Sequence, residues 1–148
     1  MDAATRARYE PLYRATDYCV EDPRLRCRLR IDEPCEALAT WLRAQGHGGA
    51  VFITAWNPHS LPQPDQRNRR DMRALQGAVE ALGLPALKAI GRAFEGDYSE
   101  PSLLVAGLGL DQAQALMQRF AQNACLWFDC AAPLARLQWR EVREPGQG

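Results

Sequence analysis

The run Gly49-Ala50-Val51-Phe52-Ile53-Thr54-Ala55 constrains this chain more than any other stretch. It is small and apolar along its length, preceded by glycines and broken by Trp56-Asn57-Pro58-His59-Ser60. Such a run reads as a buried strand, short of helix length and in need of cover on both faces. It delivers an aromatic ring, an amide, an imidazole and a hydroxyl to its carboxyl end, where open α/β sheets bind ligands.

The rest of the chain supplies the cover. Thr5 to Ala15 carries Tyr9, Leu12 and Tyr13 at helical spacing, with Pro11 as an interruption. Tyr18-Cys19-Val20 predicts a short strand. From Arg24 to Ile31 the pattern alternates strictly, Arg24, Arg26, Arg28 and Arg30 on one face and Leu25, Cys27, Leu29 and Ile31 on the other, which is a strand with one charged side. Asp32-Glu33-Pro34 opens a helix over Cys35 to Gln45 that buries Leu38, Trp41 and Leu42. Asp65 is a good cap for the next helix, whose stripe is Met72, Leu75, Val79 and Leu82.

Leu87 to Ala93 predicts a strand, Glu95 to Tyr98 a hairpin turn, and Leu103 to Ala106 a further buried strand. Asp111 and Gln114 resemble a capping box ahead of Leu116, Met117 and Phe120. Strands over Ala124 to Asp129 and Leu134 to Trp139 close the pattern, and the polar tail from Glu141 is expected to fray. Helices and hairpins in this order predict a single α+β domain over residues 1–148, its core at about 13–140, built on a mixed β-sheet with helices packed on it. The Gly48 to Trp56 strand is its natural centre.

Composition excludes several classes. Eighteen basic and 18 acidic residues balance to a net charge of zero, which argues against wholesale binding to nucleic acid or to an anionic membrane. No apolar run reaches membrane-spanning length and no basic leader precedes an apolar core, so a cytoplasmic location is expected. Five cysteines without a Cys-x-x-Cys pair, and only two histidines, predict buried reduced thiols, with no metal and no cofactor. Lys88 is the lone lysine; arginine, which supplies the other basic residues, is the better bidentate partner for carboxylate or phosphate.

Several stretches together resemble a known family. They are Tyr13-Arg14-Ala15-Thr16 with Tyr18, Phe52-Ile53-Thr54-Ala55-Trp56-Asn57-Pro58 with Ser60, Asn68, Glu100-Pro101-Ser102-Leu103-Leu104-Val105, and Phe120-Ala121-Gln122-Asn123-Ala124. In that order they are similar to the bacterial family catalogued as domain of unknown function 3293, in which glycine is usual where Ala121 stands. The resemblance implies no activity, only that these polar positions belong to a shared pattern.

Trp56, Asn57, Ser60, Asn68, Glu100, Ser102, Gln122 and Asn123 fall at element boundaries, where irregular backbone frees side chains to converge. An amide presents a donor and an acceptor together, Glu100 can bind an amine or hydroxyl, and Trp56 or Tyr98 can stack on a ring. The expected function is a small cytoplasmic domain binding a small polar or anionic, nucleotide-like ligand. The helix entrance after Asp65, with Arg67, Arg69, Arg70 and Arg73 in its first turns, offers such an anion its free amides. Structural roles compete for each residue: Asn57 precedes Pro58 and suits a turn, Ser60 and Asn68 suit caps, and Gln122 and Asn123 suit a helix end.

Two other readings stay open. The strand of Arg24, Arg26, Arg28 and Arg30 could dock an acidic protein or nucleic acid, or simply be a solvated edge kept from aggregating by its charge. Glu100 could act as the general base of an enzyme. His59 beside Ser60 is a poor catalytic pair, since adjacent residues seldom meet in the required geometry and no third orienting group is evident.

Overall fold

The computed structural model describes residues 1–142; the remainder of the expected frayed tail lies outside the described residues. The elements are α1 (Ala3–Arg14), β1 (Thr16–Asp22), β2 (Leu25–Leu29), α2 (Glu36–Ala44), β3 (Gly49–Ile53), α3 (Asp65–Ala81), β4 (Ala86–Ala93), β5 (Ser99–Ala106), α4 (Leu110–Arg119), β6 (Ala124–Asp129) and β7 (Ala132–Trp139), with a short 3₁₀ turn at Pro58–Ser60. The order of helices and strands is the one the hydrophobic periodicities predict, and the fold is α+β.

The sheet is not mixed. Its strands run in the order β2-β1-β4-β5-β3-β6-β7, and neighbours are antiparallel throughout. Helical crossovers ordinarily join parallel strands, and they do so here. Each one, however, links strands that are not neighbours: β5–α4–β6 steps over β3, and β3–α3–β4 steps over β5. The skipped strand fills the gap running the other way. By the same ordering β5 is the middle strand, and β3 sits one place to its side, buried at every position.

Alternate residues of the sheet build two cores. One face packs Phe52, Leu87, Leu104 and Phe128 against Leu38 and Leu42 of α2, with Tyr13 and Tyr18 at its margin. The other packs Val51, Ile53, Leu103 and Val105 against Leu75 and Val79 of α3 and Met117 of α4. Gly49 is required where β3 meets β6, because a Cβ there would lie 2.7 Å from the Phe128 carbonyl oxygen.

The two outer edges of the sheet are clasped together. After β2, Ile31 bridges Ala135 and Pro34 bridges Leu134 of β7, with Asp32 N–H donating to the Ala135 carbonyl at 2.7 Å and Cys35 N–H to that of Pro133 at 3.2 Å. The sheet is therefore curled nearly closed, and Asp32 takes a left-handed conformation (φ 63°) to make the turn.

Two caps differ from expectation. Asp65 is the first helical residue of α3, with Pro64 before it, because the proline-rich approach holds the extended backbone that a cap needs. At α4 the reaching side chain is Gln112, whose Oε1 accepts from Gly109 N–H at 2.9 Å. Gln114 instead ties α4 to the end of β7, donating to the Trp139 carbonyl at 2.9 Å.

Candidate functional site

The buried strand β3 ends at Ile53, and the chain then makes an abrupt exit. Thr54 Oγ1 donates to the Pro101 carbonyl (2.7 Å) and accepts from Trp56 N–H (3.0 Å), so one hydroxyl both pins the strand end to β5 and starts the turn. Asn57, His59 and Ser60 all have left-handed backbone, with φ of 46°, 58° and 60°. Such a cluster of non-glycine residues costs of the order of 1–3 kcal/mol each and persists only where surroundings over-determine it.

Here the surroundings do. Asn68, buried on the first turn of α3, accepts from Asn57 N–H at 2.8 Å and donates back to Asn57 Oδ1 at 2.8 Å. Gln63 N–H adds to Asn57 Oδ1 at 3.3 Å. His59 N–H reaches the Ala121 carbonyl at 2.7 Å, and Ser60 Oγ takes a bond from Asn123 Nδ2 at 3.1 Å and shares another with the Tyr13 hydroxyl at 2.7 Å. His59 itself is exposed and makes no pair with Ser60.

This loop walls a cavity of about 390 Å³ on the α2 side of the sheet, roofed by Tyr9, Leu12 and Tyr13 of α1. Of the residues singled out from sequence, Trp56, Asn57, Ser60, Glu100, Ser102 and Gln122 line it. Asn68 and Asn123 do not; each stands behind the wall and holds a lining residue, Asn57 and Ser60 respectively. Gln122 also works partly as scaffold, donating to the Trp56 carbonyl at 3.2 Å, while Ser102 Oγ donates to the Glu100 carbonyl at 3.2 Å.

Glu100 is the chemical centre. Its Oε2 accepts from the Tyr98 hydroxyl at 2.7 Å, and that hydroxyl in turn accepts from Asn57 Nδ2 at 3.0 Å, so Glu100 and Asn57 share one relay. Burial raises the Glu100 carboxyl above its ordinary range, and the Tyr98 hydrogen bond only partly offsets it. Burial likewise raises the hydroxyls of Tyr13, Tyr18 and Tyr98, and the Glu100 charge adds to the rise in each. Among the described residues, no arginine, lysine or histidine lines the cavity and no ion pair involves Glu100.

Sequence reasoning placed Tyr98 beside a ligand ring but left Tyr9, Tyr13 and Tyr18 out of the site. Tyr9 and Tyr13 carry the helical period of α1 and read as core, though α1 buries no residue fully. Tyr18 lies opposite Gly91, and Gly91 opposite Glu100, in one row across β1, β4 and β5. The missing side chain at Gly91 opens the floor between them: a Cβ there would lie 3.6 Å from Glu100 Cγ. The detectable signal was a lone glycine inside a strand pattern, which marks close approach or space beside a ligand.

The other candidates lie elsewhere. The arginine face of β2 is on an edge strand, and β1 answers it with acids. Arg24 holds Asp22 (2.9 Å), Arg30 holds Asp17 (2.7 Å), Arg28 approaches the same carboxylate (3.8 Å), and Arg26 lies opposite Glu21 in register. At the entrance of α3, Arg69 approaches Asp65 at 3.9 Å, outside the cavity. No cluster of His, Cys, Asp or Glu among the described residues could hold a metal ion, and no helix among them is long and apolar enough to cross a membrane.

Residues 53–125, from the end of β3 to the start of β6, match the model of a family described as Protein of unknown function (DUF3293). The chain belongs to that family. The matched segment holds the Thr54–Ser60 loop, Asn68, Tyr98, Glu100, Ser102, Gln122 and Asn123, so most of the cavity's polar wall lies within the DUF3293 region, while Tyr13 and Tyr18 lie outside it. No curated protein and no solved structure matches the chain.

Proposed function

We propose that this DUF3293 chain is a bacterial, cytoplasmic small-molecule-binding domain whose site is the cavity between α1, the Thr54–Ser60 loop and the sheet. The observation that carries this reading is the convergence of Trp56, Asn57, Ser60, Glu100, Ser102 and Gln122, from separate stretches of chain, on one largely apolar and aromatic cavity of about 390 Å³. Small-molecule sites have that character: roughly 300–1,000 Å³, apolar walls and a few placed polar groups. Leu12 and Tyr98, both lining residues, are 62% and 53% exposed and form an accessible rim.

The ligand is polar rather than anionic. A phosphate or carboxylate in this cavity would meet the Glu100 side chain with no cation in the described lining to offset it. The arginine strand is answered in part by β1, with Asp22 holding Arg24 and Asp17 holding Arg30, while Glu21, opposite Arg26 in register, is paired with Arg92 of β4. Glu100 as a general base would occupy the same cavity, with the Tyr98 hydroxyl as its bonded neighbour.

The test is a thermal-shift screen of polar metabolites on the full chain and on Gly91→Val. Valine suits a strand, and the cavity has room beside Glu100 for its Cβ. Ligands that raise the melting temperature of the parent should lose that effect in the variant. Stabilisation that survives the substitution, or no stabilising ligand at all, would count against the cavity as the site.

A further inference from the structure

Resting on the cavity reading above, we infer that the ligand is an organic ammonium ion, its nitrogen on the Glu100 carboxylate and its carbon portion against the surrounding rings. Three observations converge on this class. First, Glu100 has hydrogen-bonding capacity left over. A carboxylate offers about four lone-pair sites, and among the described residues the Tyr98 hydroxyl is the one side-chain donor bonded to it. The other polar side chains of the wall are largely committed: Asn57 to Asn68, Gln63 and Tyr98, Thr54 to Pro101 and Trp56, Gln122 to Trp56. An ammonium group brings three donors and no acceptor, which is what the uncommitted oxygens can use.

Second, the charge is unbalanced. Glu100 is a carboxyl inside a cavity whose described lining contains no basic side chain. Glu100 is half-buried, and an ionised carboxylate with little water around it gains from an opposite charge, which a cationic ligand would bring.

Third, the walls are aromatic. Tyr9, Tyr13, Tyr18, Phe52, Trp56 and Tyr98 all line the cavity. The negative faces of such rings attract cations, more strongly where water is excluded, and aromatic cages are one means of recognising ammonium groups. Gly91 leaves the floor between Tyr18 and Glu100 open, so a group resting on the carboxylate also meets a ring. Aromatic rings alone would fit many apolar ligands; rings around a single carboxylate with no cation in the described lining select for positive charge.

The experiment compares three probe families of matched shape on the full chain at pH 8: n-butylammonium and benzylammonium, n-butanol and benzyl alcohol, butyrate and benzoate. Affinity is read from amide chemical shifts at Gly91, Glu100 and Ser102. The ammonium probes should bind at least ten-fold more tightly than the alcohols, and the carboxylates more weakly than either. Glu100→Gln should bring the ammonium probes down to the level of the alcohols, while Glu100→Asp, which keeps the charge, should retain their preference. Alcohols binding as tightly as ammonium probes, or ammonium affinity unchanged in Glu100→Gln, would overturn the ammonium assignment and leave the cavity reading standing. If no probe of any family shifts these amides, the cavity reading falls and this inference with it.

Discussion

At the scale of single residues, Asn68 and Glu100 divide the labour between shape and chemistry. Asn68 is 1% exposed, and its amide satisfies both the backbone N–H and the side-chain oxygen of Asn57, the residue that begins the left-handed turn. Removing that amide strands the Asn57 N–H, worth about 1–3 kcal/mol when left unpaired, while Asn57 Oδ1 keeps its bond from Gln63 N–H. Asn68→Ala should therefore lower stability by roughly 1–3 kcal/mol in urea denaturation. Asn57→Gly, which fits the positive φ, should be milder than Asn57→Ala.

Glu100 works the other way. Its carboxyl is raised in the folded state by burial, so the fold binds that proton more tightly than the unfolded chain does. Stability from this group is greatest at acid pH and declines as pH rises from the ordinary carboxylate range through the raised value. The titratable groups facing it, Tyr13, Tyr18 and Tyr98, are themselves raised and stay neutral over that range. Glu100→Gln should then raise the melting temperature at neutral pH and flatten its decline between pH 4 and 8. Asp22, held well below the carboxylate range first by the Arg24 guanidinium, gives the opposite slope in acid, so the mutant and parent must be compared at matched pH. A residue that costs stability at neutral pH while carrying the site's charge is what a binding function predicts.

At the scale of elements, α1 stands apart. It has no fully buried residue and is held by a few ties: Arg14 to Asp32 at 2.9 Å, the Tyr13–Ser60 bond, and the Tyr13 ring against Trp139 at 5.6 Å. Segments with little buried apolar contact open most readily. Amide exchange in α1 should be the fastest among the four helices, and a cavity ligand should slow it more than it slows α4. Exchange in α1 as slow as in α2 would show that the roof is fixed. At β3, Gly49→Ala drives a methyl into the Phe128 carbonyl and should cost about 1–3 kcal/mol, measurable by the same denaturation.

Element identity was largely legible in the sequence because both periodicities are clean. The 3.6 stripe of Met72, Leu75 and Val79 and the alternation of Leu25, Cys27 and Leu29 each face the side the pattern requires, whereas Leu82, expected in the stripe, lies just past the end of α3 and is 43% exposed. Strand direction was not legible. Whether a crossover lands beside its parent strand or skips one depends on which other strand fills the gap, and no local pattern encodes that. The site shows the same division. Polar residues at strand and helix ends announced themselves, and Glu100 and Asn57 do meet through Tyr98. Tyr13, Tyr18 and Gly91 join them only through the register of β1, β4 and β5 and the placement of α1, which are long-range facts.

At the scale of the molecule, the clasp between residues 31–35 and β7 governs what the sheet exposes. Edge strands with unpaired backbone are templates for association, and here the two edges are brought to each other. Cys35→Pro removes the N–H that bonds Pro133 and should loosen this closure. The expected result is a rise in concentration-dependent light scattering at temperatures below the melting transition. An unchanged scattering profile would assign the clasp a purely local role.

The cavity inherits a consequence from this closure. Its walls come from α1 and β1 near one end of the chain, from β3 to β6 in the middle, and from Leu137 of β7 near the other. No fragment made during synthesis contains the whole site until β7 has emerged. A ligand for this cavity would therefore bind only chains in which α1 and the strands from β1 to β7 have come together, and its occupancy would report that assembly.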